Sequence, residues 1–394
     1  MTSWDLARID QNELVHLAQT LVRFPSPQTD RMEAEPAVQA FIGECVASEL
    51  AERGLAGRRD PMGNLLIEAG PTATGRSLLL MAYAMTHPAS SMHDPYSGAV
   101  VGLPEGKAVR GRGISEQKGA LAAAIVALAR AVDDGRLQGR LVFAVSSAGE
   151  TGRHDAAESI LLELGYTPEL GIVVLGTNNR VSLANKGRLD IQVTVHGKAA
   201  HSSTPWLGIN AIDGARAVLE RLQTLSLGSG KHAALGEATL TPTHLSSGPN
   251  ATHTIQNAVH LMFDRRLLPG QDPQTAFDVV AAALAEIKGP WRIEARRGPY
   301  MYPCEISRDG PLFSAIRISR AESGQPEPET LYSHGALDAG FLVARGCDAG
   351  MWGPGRMEQF HADDEQLLVS ELVAGARDYL ALIESYLGAK AEVR

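Results

Sequence analysis

Cysteine is scarce in this chain: Cys45, Cys304 and Cys347 are the only three among 394 residues. An odd, scattered set excludes a disulfide framework and a cysteine metal knuckle, and a reducing, cytoplasmic setting is the expectation. A basic excess is also missing. The 36 Lys and Arg residues face 45 Asp and Glu residues, for a formal net charge of -9. Such a balance argues against a non-specific nucleic-acid binder or an anionic-membrane binder, since both need a basic surface. No apolar run approaches the roughly 18 residues of a membrane span. The opening segment lacks the basic-then-apolar order of a secretory leader. Internal repeats and low-complexity segments are absent. What remains is ordinary for a globular protein, with 44% hydrophobic and 21% charged residues. The length suits two domains.

Hydrophobic periodicity predicts helices over 10–23, 35–53, 119–132 and 156–164. Ser77–Thr86 is an almost continuous apolar run, the pattern of a strand buried on both faces. Leu141–Ser146 and Leu170–Leu175 read the same way. Strands alternating with helices indicate a layered α/β domain. After Gly187 the pattern changes. Segments 189–195, 238–245, 259–267 and 291–297 alternate as half-exposed strands do, and 210–225 and 277–287 read as helices. Helices over 311–321 and 365–387 and a short strand at 349–352 complete the chain. The expected fold is α/β and two-domain. A large discontinuous domain (1–186 and 299–394) holds an inserted α/β sandwich at 187–298.

Several stretches carry a resemblance. Gly197-Lys198-Ala199-Ala200 runs into His201-Ser202-Ser203-Thr204-Pro205-Trp206-Leu207-Gly208-Ile209-Asn210-Ala211-Ile212. Gly111-Arg112-Gly113 precedes Lys118-Gly119, Asp264-Arg265-Arg266 precedes Pro269-Gly270, and Gly353-Pro354-Gly355 precedes His361 and Glu365. In order and spacing these resemble the acetylornithine deacetylase, succinyl-diaminopimelate desuccinylase and glutamate carboxypeptidase family. Its members are two-domain, di-zinc amide hydrolases with a small dimerisation or lid domain. The resemblance implies hydrolysis of C–N bonds and a homodimer.

The metal-site residues depart from the family pattern. Aligned on Pro88, the family's ligand His falls at Tyr83 and the Asp that orients it at Met85. The bridging Asp is Glu116, the general base is Gly149, and the ligand after the base is kept as Glu150. A further ligand falls at Leu175, and the last is kept as His361. A di-zinc site needs a shared carboxylate and about three protein ligands per ion. Glu116, Glu150 and His361 cannot supply that, but they suit one divalent ion (Zn, Mn or Co) or none. His87 is a candidate replacement ligand, placed on the face of Tyr83 and Met85 by the strand period of two. Glu116 and Glu150 are also a candidate acid–base pair that could share a proton. Lys118 or Arg153 could neutralise it.

On the substrate side, the resemblance gives His201 the role of oxyanion donor across the dimer and Arg266 that of a carboxylate clamp. His253 or Asn250 occupies the family's Asn position. Gly353 to Gly355 would be an anion-binding turn, Tyr83 would line the pocket, and His334 could supply the lost acid–base function. The expected activity is hydrolysis of an amide bond in a small carboxylate-bearing molecule, an N-acyl amino acid or dipeptide. The alternatives are a non-catalytic ligand-binding homologue, or a lyase or isomerase on the same scaffold.

Overall fold

The computed structural model describes residues 8–71, 75–228 and 230–389. The chain divides into two compact units. The larger comprises Met1–Ala184, Glu305–Tyr332 and Phe341–Arg394. The smaller comprises Asn185–Cys304 and Ser333–Gly340, where the sequence reading drew 187–298.

The larger unit is built on a six-stranded sheet. Its order is Arg58–Arg59, Leu65–Ala69, Arg140–Ser146, Ser77–Tyr83, Leu170–Val174 and Asp348–Trp352. The last four strands run parallel, and Leu65–Ala69 is antiparallel to Arg140–Ser146. Every residue of Ser77–Tyr83 is buried, as its unbroken apolar run requires. The Ala-rich helix Gly119–Asp133 packs against Val369–Leu387, and its small side chains let the two approach closely. Asp10 caps the helix Gln11–Arg23 by accepting the Asn12 and Glu13 N–H groups, and that helix buries Leu14, Leu17, Leu21 and Val22.

Three readings of the sequence are corrected here. The strand predicted to reach Thr86 ends at Tyr83, so the alternation used to place His87 does not extend to it. The helix predicted over 35–53 is interrupted by a wider π turn, Phe41–Val46. The closing helix starts at Val369, because Gln366–Leu368 pairs as a strand with Gly106–Arg110.

The smaller unit is a four-stranded antiparallel sheet in the order Thr239–Gly248, Ala258–Leu267, Gly187–His196, Arg292–Met301. Leu189, Ile191, Val193, Val195, Val259, Leu261 and Phe263 alternate onto one face. There they form a core with the helices Ala211–Gln223 and Pro273–Ala285. The second helix begins earlier than the predicted Phe277. Pro273 occupies its first turn, and Asp272 caps it through Thr275 N. Among the described residues no helix is long and apolar enough to cross a membrane.

Candidate metal and acid–base centre

In an open parallel sheet, ligands collect beyond the carboxyl ends of the strands. The larger unit places its ionisable cluster on the chain leaving those ends. After Tyr83 the backbone is pinned by Thr86 N to Ser26 O at 2.9 Å, and by Gln28 N to Thr86 O at 2.9 Å. This irregular segment, rather than a strand face, delivers His87. Glu150 follows the strand Arg140–Ser146, and the Gln28 side chain donates to its carbonyl at 2.7 Å. Glu116 lies in the wide π turn Ile114–Lys118. The buried Glu365 carboxylate shapes that turn. It accepts the N–H groups of Gly113, Ser115 and Glu116 at 2.8, 2.9 and 3.2 Å, and pairs with Arg112 at 3.0 Å.

His361 joins these pieces. Its Nε2 lies 3.3 Å from a carboxylate oxygen of Glu116 and 3.3 Å from one of Glu150. Its ring stacks on His87 with centroids 3.9 Å apart and planes 12° from parallel. The His361 backbone is left-handed, at φ 62°, unusual for a side chain other than Asn, Asp or Gly. Hydrogen bonds from Glu116 and then Glu150 push the His361 pKa up to about 10. Burial raises Glu116 to about 7. Burial, then the nearby charge of His361, lowers His87. The His361 ring thus sits between two carboxyl oxygens, with the His87 ring stacked on it.

The donor set fits one metal ion. Ligand atoms of His87, Glu150 and His361 all lie within 4.8 Å of one another. Glu116 is not part of that trio. Tyr83 and Leu175, aligned with two further family ligand positions, are 3% and 4% exposed. The position of the family's base is closed as well. A Cβ on Gly149 would fall 2.4 Å from the Met85 carbonyl oxygen.

Other expectations are corrected by contacts. Lys118 does not neutralise the carboxyl pair. It is fully buried, donates to Phe24 O at 2.7 Å and sits over the Phe41 ring. Arg153 pairs with Glu33 at 2.7 Å. Gly353 and Gly355 do not form an open anion-binding turn. The Gly353 N–H donates to Thr177 Oγ1 at 3.0 Å, and a Cβ on Gly355 would fall 1.9 Å from Ser115 O. Two residues escaped the sequence reading. Gln28 supports the Glu150 backbone. Gln117, 1% exposed, donates from Nε2 to Glu150 Oε1 at 3.4 Å, and its Oε1 has no donor among the described residues. No motif spacing marks either one, because each works through a neighbour distant in sequence.

In the smaller unit, His201 is exposed, and its Nδ1 lies 2.8 Å from Ser203 Oγ. Its segment pairs with that of His253, through Ser202 N to His253 O at 2.9 Å and Ile255 N to Ala200 O at 2.8 Å. Asn250, His253 and His334 are exposed. Arg266 is not a waiting clamp, since Asp264 on the same strand already engages it at 2.8 and 3.2 Å.

Comparison with known proteins places this geometry. Residues 183–292 match the peptidase dimerisation domain of the M20 type. A putative [LysW]-lysine/[LysW]-ornithine hydrolase from Pyrobaculum aerophilum is 28% identical over 283 residues, 71% of this chain and 76% of that protein. The match to that domain model covers the inserted unit, and the likeness to curated hydrolases extends over most of the chain. The Escherichia coli protein YgeY is 25% identical over 347 residues, 83% of this chain and 85% of that one. In fold, the chain resembles the M20 family metallo-carboxypeptidase of Sulfolobus solfataricus. The TM-score is 0.74 at 16% identity, over 95% of this chain and 99% of the other.

Proposed function

We propose that this chain is an amide-bond hydrolase of the M20 type that works with a single divalent ion on a small, carboxylate-bearing N-acyl amino acid or dipeptide. The observation that carries the reading is the convergence of His87, Glu150 and His361 donor atoms within 4.8 Å, beside a Glu116 whose carboxyl is poised near neutrality. His87, Glu150 and His361 would hold the ion. When bound, it would supply Lewis acidity that polarises a carbonyl and acidifies water. Glu116 is the carboxyl suited to trade a proton, because a raised pKa near the working pH favours general acid–base transfer. It takes the place of a base at Gly149, where the backbone leaves no room.

His201 fits the role of oxyanion donor in a homodimer assembled through the inserted unit, an arrangement carried over from the resemblance. The three cysteines are buried thiols, in keeping with a reducing cytoplasm. The test has two readouts. Elemental analysis should find about one Zn, Mn or Co per chain after reconstitution of chelated protein. A panel of N-acyl amino acids and dipeptides should then show metal-dependent turnover. Zero metal and zero turnover with every ion would overturn the proposal.

A non-catalytic binding homologue is the second reading, favoured by the closed position at Gly149. Its signature is a ligand-induced thermal shift without product.

A further inference from the structure

The inserted unit contains a charge that nothing in it neutralises. The strand Ala258–Leu267 turns Val259, Leu261, Phe263, Arg265 and Leu267 toward the helices. An arginine therefore occupies a place on the apolar face of the sheet, only 2% exposed. Its guanidinium donates to three carbonyl oxygens: Nη1 to Arg266 at 2.6 Å and Thr239 at 3.4 Å, and Nη2 to Leu227 at 2.9 Å. A guanidinium has five N–H donors, so Nε and part of Nη2 are left without an acceptor among the described residues. Among the described residues no carboxylate pairs with it. Burial alone depresses its pKa, to about 10. Lys186, 6% exposed, adds a second buried cation within electrostatic range, and its ammonium also rests on a carbonyl, Glu237 O at 2.6 Å. Buried charges are normally paired, since an uncompensated one is strongly unfavourable.

Arg265 lines a cavity of about 270 Å³. The strand end, the Leu227–Gly228 loop, the Gly270–Asp272 turn and the first turns of the helix Pro273–Ala285 enclose it. Its apolar wall is Leu227, Ala276 and Val279. Asp272 also borders it, but its Oδ1 is committed to Thr275 N and Oγ1.

We propose that this cavity is a binding site for a short-chain monocarboxylate, its carboxylate on the open N–H groups of Arg265 and its alkyl chain against Leu227, Ala276 and Val279. The short apolar wall and the one cationic group that lines the cavity suit a short alkyl chain and a single negative charge. The site lies wholly within the inserted unit and does not depend on the proposed hydrolysis.

Isothermal titration and thermal melts of the full-length protein test it, with acetate, propionate and butyrate against chloride-matched and inorganic phosphate controls. Propionate or butyrate should bind saturably, one per chain, and raise Tm. Arg265→Met should weaken binding at least tenfold. Val279→Phe fills the cavity while keeping the charge, and should do the same in a protein of normal circular dichroism. His361→Gln, altered in the other unit, should bind propionate or butyrate as the parent does. No saturable binding, unchanged affinity in both cavity variants, tighter binding of phosphate than of any carboxylate, or loss of binding in His361→Gln would each overturn the proposal.

Discussion

The two units treat buried charge differently. The larger unit holds matched groups, although its buried Lys118 rests on a carbonyl oxygen and its Glu384 Oε2 has no partner among the described residues. Arg112 meets Glu365 at 3.0 Å, Arg320 meets Asp378 at 2.5 Å, and His361 bridges Glu116 and Glu150. In the smaller unit Arg265 and Lys186 rest on carbonyl oxygens alone. A matched network rigidifies what it surrounds and holds chemistry in register. An unmatched cation keeps an open valence for a ligand. The same chain thus spends some of its buried charges on building a centre and leaves others available.

The contrast can be broken most severely at Glu365. Glu365→Gln would leave Arg112 buried with its charge unanswered, and breaking such a pair costs about 3–5 kcal/mol. Denaturant unfolding should show that loss. Turnover should fall with it, since the turn carrying Glu116 is held by the same carboxylate. His361→Gln comes next. It removes the group that two carboxyls share, so turnover should drop about a hundredfold or more, and bound metal should fall well below one per chain. An unchanged metal ratio would place the ion elsewhere.

A third test uses pH. Glu384 is 5% exposed, its Oε2 has no hydrogen-bond partner, and burial raises its pKa to about 7. The folded state therefore holds this proton more tightly than the unfolded chain, where the pKa is near the ordinary 4.5. The resulting stability is fully present below pH 4.5 and is lost as pH rises through 7. Glu384→Gln should therefore raise the unfolding free energy at pH 8.5, by an amount on the order of 1–3 kcal/mol, and change it little at pH 4.5. Equal effects at both values would mean the charge is not what burial opposes.

Arg265→Met sharpens the comparison from the other side. A buried cation replaced by a hydrophobe of similar volume is often neutral or stabilising by about 1–2 kcal/mol. Stability should hold or rise while carboxylate binding disappears. Gln117→Leu should have the smallest effect. Loss of its long 3.4 Å bond to Glu150 should move the pH profile of turnover by a few tenths of a unit, with KM nearly unchanged.

Much of this was legible in the residues. The buried run Ser77–Tyr83 and the alternation over Gly187–His196 announced two different sheets, because side-chain period follows directly from which faces are covered. The grouping of Glu116, Glu150 and His361 followed from the resemblance, and the fold puts a carboxylate oxygen of each glutamate 3.3 Å from His361 Nε2. His87 was named on a strand period that stops at Tyr83, and reached the cluster by another route. Gln28 and Gln117 were not legible, since hydrogen bonds between segments far apart leave no local pattern.

The sequence by itself determined the order of strands and helices, the inserted position of the second unit and the types of ionisable group available. These depend on local periodicity and composition, which a linear chain carries openly. Only the tertiary structure decided that Lys118 turns away from the carboxyls, that the backbone at Met85 closes the place of a base at Gly149, and that Arg265 lines a cavity without a carboxylate paired to it among the described residues. Each depends on distance and burial in three dimensions, and electrostatic energy is set by those two quantities rather than by spacing along the chain.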